Sequence, residues 1–225
     1  MSFLAAAWNV FRKDLTQEIR SGEIVLSTAL FAALAVVLCA FAFGLDAAPG
    51  SETAAGVLWI SIAFAGILAL SRTFLREREM GVWTAVLLTP APRAALYAGK
   101  ALGVAVFLLV VEAVLVPIVA LLFEAPLLER AGLVAPVLVL GDVGYAAAGT
   151  LFAAMTIRTR LRDLVLGVVL FPLISPVLIA SVEATAAVLA GEGLSAAAGY
   201  LEILAVFDVV FLVGGLWLFD PLMED

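Results

Sequence analysis

Six stretches of this sequence are long enough and apolar enough to cross a lipid bilayer as α-helices. They cover residues 24–45, 54–71, 101–123, 133–156, 164–182 and 201–219, and more polar segments separate them. A helix needs about 20 predominantly apolar residues to cross the hydrocarbon core. The pattern predicts an all-α integral membrane protein with six transmembrane helices, built as a single transmembrane domain over residues 1–225.

The composition excludes several functions that depend on polar side chains. Hydrophobic residues make up 65% of the sequence and charged residues 14%, with no histidine and a single cysteine, Cys39. One cysteine cannot form an intrachain disulfide framework, and the absence of histidine removes the commonest general base and metal ligand. No basic patch with interleaved aromatic residues indicates nucleic-acid binding. We expect no metal site and no hydrolytic chemistry in this chain.

The lysines and arginines fall almost entirely on one side of the six predicted helices. Eleven of the 12 share that side: Arg12, Lys13, Arg20, Arg72, Arg76, Arg78, Arg93, Lys100, Arg158, Arg160 and Arg162. Only Arg130 lies on the other side. Because loops rich in Lys and Arg stay in the cytoplasm, the asymmetry predicts a multi-pass protein with both termini cytoplasmic.

Residues 1–23 have the pattern of an amphipathic helix. Apolar residues recur at helical spacing at Leu4, Trp8, Phe11, Leu15 and Ile19, and polar residues occupy the other side. Such a helix lies in the interface of the membrane, with its apolar face toward the acyl chains. The alternative is a helix that packs on the transmembrane bundle.

A charged segment follows the second predicted span. Its charged residues are Arg76, Glu77, Arg78 and Glu79, and its apolar residues include Val82, Trp83 and Val86. The charged residues cannot lie in hydrocarbon, so the second span must end near Leu75. Pro90 and Pro92 end the segment, because proline lacks the N–H donor that a helix needs. We predict a short cytoplasmic helix over residues 76–92; an ordinary surface connector is the alternative.

No phosphate-binding loop is present in the sequence. The only Gly-Lys pair is Gly99 and Lys100, but Ala94 and Ala101 stand where such a loop requires glycine and a hydroxyl residue. We therefore expect a non-catalytic membrane subunit. If ATP drives its work, the ATPase must be another chain, and a rigid charged helix on the cytoplasmic side would suit its docking.

Several segments together resemble haem exporter protein B, the CcmB membrane subunit of the cytochrome c maturation ABC complex. They are LLTPAPRAALYAGK at 87–100, LGDVGYAAAGTLFAAM at 140–155 and VLFPLISPVLIAS at 169–181, after an interfacial helix and two spans. The resemblance covers nearly the whole chain. It implies a permease subunit of the bacterial inner membrane, in which residues 76–92 form the coupling helix that docks on the ATPase through the charged and apolar residues named above.

The resemblance also implies a set of partners. These are an ABC ATPase like haem exporter A, a haem-handling membrane subunit like protein C, a small single-span subunit like protein D and a haem chaperone like protein E. A homodimer is a further alternative, and membrane lipid surrounds the complex. The axial ligands left in this chain are Met, Tyr and Cys39. We therefore expect no cofactor bound by this chain alone, and haem only through the complex.

Three acidic residues, Glu112, Asp142 and Asp208, fall near the middle of predicted spans. An ionised carboxylate at that depth is costly, so each must be protonated, hydrogen-bonded or facing water. Three explanations remain open: a proton or cation relay, a polar patch that meets a partner subunit, and protonated acids that cross-link helices.

Two prolines and a group of small residues shape the later spans. Pro172 and Pro176 predict a kink in the fifth span, which is either a hinge or a static bend. Gly141, Gly144 and Gly149 predict close packing against another helix, with a substrate path as the alternative.

Residues 183–200 are rich in alanine and glycine and only mildly apolar. This composition favours a short outer or re-entrant helix pair between the fifth and sixth spans.

Other functions fit parts of the pattern. An ABC-2 permease that exports a lipid, glycan or drug would share the coupling helix. A proton-coupled secondary carrier would use the three membrane-embedded acids and need no ATPase. A scaffold without transport activity is a further alternative.

Overall fold

A computed structural model of the chain describes residues 2–43, 50–79, 92–156 and 162–222. These ranges contain seven helices and no strand: α1 (Phe3–Ser21), α2 (Glu23–Phe43), α3 (Ser51–Glu79), α4 (Arg93–Leu122), α5 (Ala131–Met155), α6 (Arg162–Ala190) and α7 (Gly193–Leu222). Six of them, α2 to α7, are long and apolar enough to span a membrane. The predicted fold class and the six predicted spans are confirmed.

α5 occupies the centre of the bundle. It packs against α3, α4, α6 and α7, and its residues from Tyr145 to Leu151 are all buried. α2 and α7 are peripheral, and they expose apolar side chains such as Leu34 and Val209. In a membrane-spanning bundle such surfaces face acyl chains, so these apolar side chains are not exposed to water.

α1 begins and ends with well-formed caps. The hydroxyl of Ser2 accepts a hydrogen bond from the N–H of Ala5 at 3.4 Å. Gly22 ends the helix with φ 60°, and its N–H donates to the carbonyl of Glu18. Glycine adopts this left-handed conformation without steric cost. Because Gly22 alone separates α1 from α2, the two helices meet at a sharp corner.

α1 combines the two arrangements considered for it. Ala6 and Phe11 are buried, and α1 packs along α4. Leu4, Trp8 and Ile19 remain 77%, 57% and 74% exposed. The helix therefore docks on the bundle with one face and presents an apolar face outside it, which suits contact with the membrane interface.

The prediction of a short outer or re-entrant helix pair at residues 183–200 is wrong. α6 continues to Ala190 and α7 begins at Gly193, so only Gly191 and Glu192 connect two full-length helices. Alanine has the highest helix propensity, so the Ala-rich sequence extends both helices beyond the apolar core. Gly191, with φ 95°, reverses the chain.

Arg130 secures this reversal from the neighbouring loop. Its guanidinium donates to the carbonyls of Val188 and Leu189, which lie in the last turn of α6. A cation at a helix C-terminus complements the partial negative charge of the unpaired carbonyls. Arg130, which the sequence placed alone on the side opposite the other Lys and Arg residues, therefore binds the end of α6.

α3 continues through the charged segment without a break. The membrane-spanning part of α3 is Ser51–Arg72, but the helix ends at Glu79. Arg76 to Glu79 thus form the last turn of α3, whereas we predicted that they begin a separate cytoplasmic helix. The remaining residues of the predicted coupling helix, among them Val82, Trp83 and Val86, lie outside the described residues. α4 begins at Arg93, directly after Pro92.

Candidate functional site

Three buried aromatic side chains hold α5 in the bundle, each lying against a glycine of a neighbouring helix. The first is Trp59 of α3, which covers Gly141 of α5 and donates from Nε1 to the hydroxyl of Thr185 on α6 at 2.9 Å. A Cβ atom at Gly141 would overlap the indole ring. One side chain therefore joins α3, α5 and α6, and the prediction that Gly141 serves close packing is confirmed.

Two tyrosines repeat this arrangement. Tyr145 of α5 lies over Gly66 of α3, and its hydroxyl donates to the carbonyl of Ala63 at 2.8 Å. Tyr97 of α4 lies over Gly215 of α7. Both phenols are fully buried, and a buried hydroxyl must find a partner.

Tyr97 joins three helices through one oxygen atom. Its hydroxyl is 2.9 Å from the carbonyl oxygen of Phe211 on α7 and 3.1 Å from that of Ala147 on α5. The sequence analysis missed all three aromatic residues. Each of them is marked by the glycine that it lies against on another helix. This pairing cannot be recognised from the sequence before the positions of the helices are known.

Two other glycines of α5, Gly144 and Gly149, also serve helix packing. A Cβ at Gly149 would lie 2.5 Å from a methyl carbon of Leu70 on α3. One at Gly144 would lie 2.5 Å from Oδ1 of Asp208 on α7. Small residues let membrane helices approach closely, and both positions use that space.

The three membrane-embedded acids separate into a pair and a single residue. The carboxyl groups of Glu112 on α4 and Asp142 on α5 lie next to each other and interact, without a hydrogen bond of ordinary geometry. Asp208 lies on a different side of α5, beside Gly144. All three are buried, at 2%, 0% and 5% exposure. A polar patch that meets a partner subunit requires exposed groups, so their burial does not support that explanation.

Replacing Glu112 with glutamine is expected to leave the fold intact. The amide of Gln has the size of a protonated carboxyl and both donates and accepts hydrogen bonds, so we expect a stability change below about 1 kcal/mol. Thermal unfolding of the purified variant measures this. Normal activity of Glu112→Gln and Asp208→Asn would support the cross-linking role, whereas lost activity in a normally assembled complex would support the relay.

The two prolines lie inside α6, which remains one helix from Arg162 to Ala190. In a regular helix the carbonyl of Pro172 would accept the N–H of residue 176, but Pro176 has none. The hydroxyl of Ser175 donates to this carbonyl at 2.8 Å instead. The helix thus compensates for one of the bonds that its prolines remove, and the hinge at Pro172 and Pro176 stays a prediction.

Gly99 and Lys100, which do not form a phosphate loop, attach α1 to the bundle. A Cβ at Gly99 would lie 2.6 Å from the carbonyl oxygen of Ala7, so the backbones of α1 and α4 touch there. The ammonium of Lys100 is 2.7 Å from Oδ2 of Asp14, and the lysine is only 1% exposed. The sequence analysis assigned Lys100 only to the charged side of the bundle and did not predict this ion pair.

Potential metal and haem ligands are scarce in the part of the chain that the structure describes. No group of three His, Cys, Asp or Glu side chains there has the geometry to hold a metal ion. Cys39 is a free thiol, half-buried on α2. The arrangement is that of a helical bundle locked by buried polar contacts.

Comparisons with known proteins agree with this architecture. The CcmB protein family matches residues 5–217. Heme exporter protein B of Bradyrhizobium diazoefficiens is 31% identical over 206 residues, which cover 92% of this chain and 91% of that protein. Heme exporter protein B of Paracoccus denitrificans is 29% identical over 172 residues, covering 76% and 78%. This multi-pass membrane protein belongs to the CcmB family.

Proposed function

We propose that this chain is the membrane permease subunit of an ABC complex that serves cytochrome c maturation. In this proposal it converts ATP hydrolysis by a partner ATPase into rearrangement of the membrane subunits, and so drives haem export or release of a haem-loaded chaperone. The family membership and the two relatives, both heme exporter proteins B, support haem export. The coupling role rests on the geometry of α3.

The observation that carries the coupling role is the length of α3 beyond its membrane-spanning part. The helix continues for seven residues from Arg72 to Glu79. At 1.5 Å per residue, this places its charged end about 10 Å beyond the apolar segment. A partner that binds Arg76 to Glu79 would therefore hold a direct, rigid extension of a membrane helix.

Contacts along α3 would carry a displacement into the rest of the bundle. Trp59 joins α3 to α5 and α6, and Tyr145 of α5 donates to the α3 backbone. Close-packed interfaces move between discrete arrangements and do not deform continuously. Movement of α3 would then reach α6, where Pro172 and Pro176 serve as the hinge. Spin labels on either side of these prolines should change their separation with nucleotide; one constant distance would exclude the hinge.

The charge asymmetry supports the orientation that the proposal requires. Arg72 near the end of α3 and Arg93 at the start of α4 lie at one end of the bundle, and α1 with Lys13 packs along the adjoining part of α4. Arg130 lies in the connection at the other end. Under the positive-inside rule the first end is cytoplasmic, which puts both termini in the cytoplasm of a bacterial inner-membrane protein.

The proposed complex contains the partners that the resemblance implies. They are the A-like ATPase, the C-like haem-handling subunit, the small D-like subunit and the E-like chaperone, with a second copy of this chain as an alternative companion. We propose that haem is held by these partners, because this chain has no histidine to ligate it.

Reversing two charges at the end of α3 tests the coupling role. We expect Arg78→Glu combined with Glu79→Lys to lose the copurifying ATPase, because each reversed charge would face a like charge on the partner. The control combines Arg20→Glu with Glu129→Lys, which also preserves the net charge but lies elsewhere on the chain. Affinity purification from the native membrane and quantification of the ATPase measure the result; unchanged recovery of the ATPase would contradict the proposal.

Deleting the gene that encodes this chain distinguishes a role in cytochrome c maturation from the alternative functions. We expect c-type cytochromes to disappear while b-type cytochromes remain. An ABC-2 permease for a lipid, glycan or drug would copurify with an ATPase but leave c-type cytochromes normal. A secondary carrier would stay active without any ATPase.

A further inference from the structure

A cleft of about 90 Å³ lies between α1 and the membrane-spanning helices. Its walls come from α1, α2 and α4, with Ala69 of α3 at one side. The polar residues that line it are Asp14, Gln17, Glu18 and Lys100. The remaining walls are apolar and include Phe11, Leu15, Val104, Phe107 and Val110. The cleft is therefore amphipathic, as a binding site for an amphiphilic molecule must be.

The part of the cleft wall that α4 provides extends along that membrane-spanning helix. Lys100 lies nearer the start of α4 and Val110 lies ten residues farther along the same span. This separation corresponds to about 15 Å of helix. The apolar walls thus descend from the Lys- and Arg-rich end of the bundle toward the middle of the bilayer, which is the path of a lipid acyl chain.

Among the described residues, the charged side chains of the cleft leave one carboxylate oxygen without a donor. Oδ2 of Asp14 binds the ammonium of Lys100 at 2.7 Å, and Oδ1 lies 3.2 Å from the ammonium of Lys13, which is outside the cleft. Oε1 of Glu18 accepts the N–H of Val25 at 2.8 Å. Oε2 of Glu18 is buried and has no hydrogen-bond partner among the described residues.

A buried carboxylate oxygen needs a hydrogen-bond donor, and a cationic donor satisfies it best. We propose that this cleft binds one phospholipid whose headgroup carries a primary ammonium, which donates to Oε2 of Glu18 while an acyl chain lies along Val104, Phe107 and Val110. A phospholipid with an uncharged glycerol headgroup would supply no cation here. The apolar path along a membrane span favours a lipid over a polypeptide segment.

Native mass spectrometry of the purified full chain tests this proposal. The chain is exchanged into equal amounts of phosphatidylethanolamine and phosphatidylglycerol, and the lipids retained after detergent washing are counted. We expect one retained phosphatidylethanolamine per chain and a preference of about tenfold over phosphatidylglycerol, since a charge-assisted hydrogen bond separates the two. Equal retention of both lipids, or retention of neither, would overturn the proposal.

Two variants separate the headgroup contact from the acyl path. Glu18→Gln keeps the acceptor for Val25 but removes the charge, so it should abolish the preference while leaving total retention similar. Gly103→Leu fills the cleft, because a Cβ there would meet only Oδ2 of Asp14 at 3.9 Å. It should lose both lipids without unfolding the chain. Wild-type retention in both variants would contradict the site.

Glu23→Gln is the matched control. Glu23 lies at the start of α2, near the cleft but exposed and not part of its lining. Its replacement should leave the headgroup preference unchanged, and an equal loss with this variant would show that only the general surface charge matters. Lipid retention is measured without the ATPase, so a failure here would leave the proposed coupling role standing.

Discussion

Replacing Gly215 with alanine is expected to destabilise the protein strongly, whereas the same change at its neighbour Gly214 should have little effect. A Cβ at Gly215 would overlap the ring of Tyr97, but one at Gly214 would meet nothing within 4 Å. Tyr97 is fully buried and cannot move aside without losing the hydrogen bond that its single O–H proton makes toward the carbonyls of Phe211 and Ala147. Overpacking costs about 1–3 kcal/mol, and the lost hydrogen bond costs about 1 kcal/mol more.

The two alanine variants form a closely matched comparison. They lie side by side on α7 and add the same methyl group, so helix propensity and hydrophobicity cancel between them. Thermal unfolding of each variant in the same detergent measures the difference. If Gly214→Ala and Gly215→Ala unfold at the same temperature, Tyr97 does not hold α4 against α7 as described here.

Removing the charge of Asp14 should detach α1 from the bundle. Asp14→Asn removes the negative charge that lies 2.7 Å from the nearly buried ammonium of Lys100, and breaking a buried ion pair by removing one partner costs about 3 kcal/mol or more. We expect the free energy of unfolding to fall by about 3 kcal/mol, the low end of this range, because the Asp14 side chain is 17% exposed and water reaches it. Limited proteolysis within α1 should accelerate, since the docked helix protects its own backbone.

The double variant Asp14→Asn with Lys100→Met provides the control for this prediction. Methionine keeps most of the length of lysine and removes the positive charge that had faced Asp14, so the double variant should recover most of the stability lost in Asp14→Asn. A double variant as unstable as Asp14→Asn alone would contradict an interaction between these two residues.

The spans were predictable because the membrane imposes a simple requirement on sequence. A helix that crosses the hydrocarbon core must be long and apolar, and six helices of the described residues satisfy that requirement. Helix ends were less predictable, because a helix can continue after the apolar core ends. α3 runs on through Arg76 to Glu79, and α6 runs on through its Ala-rich end to Ala190. Hydropathy indicates which segments lie in the membrane. Helix propensity determines how far each helix continues beyond it.

The candidate site was predictable by residue type but not by arrangement. The depth of Glu112, Asp142 and Asp208 follows from their places in the apolar runs. Their separation into a pair and a single residue depends on how α4, α5 and α7 are rotated about their axes. The partner of Lys100 was equally hidden, because Asp14 lies 86 residues earlier in the chain. Such contacts depend on tertiary packing, which neither periodicity nor composition specifies.

The hydroxyl of Ser175 gives α6 a particular mechanical property. At Pro172 and Pro176 the helix lacks backbone N–H groups, and a rotatable side chain serves one carbonyl in their place. Rotation of the Ser175 side chain can keep its hydroxyl directed at the carbonyl of Pro172 when the local backbone shifts. If α6 bends at Pro172 and Pro176, as the proposed hinge requires, the Ser175 side chain could keep this hydrogen bond while the two halves of the helix tilt against each other.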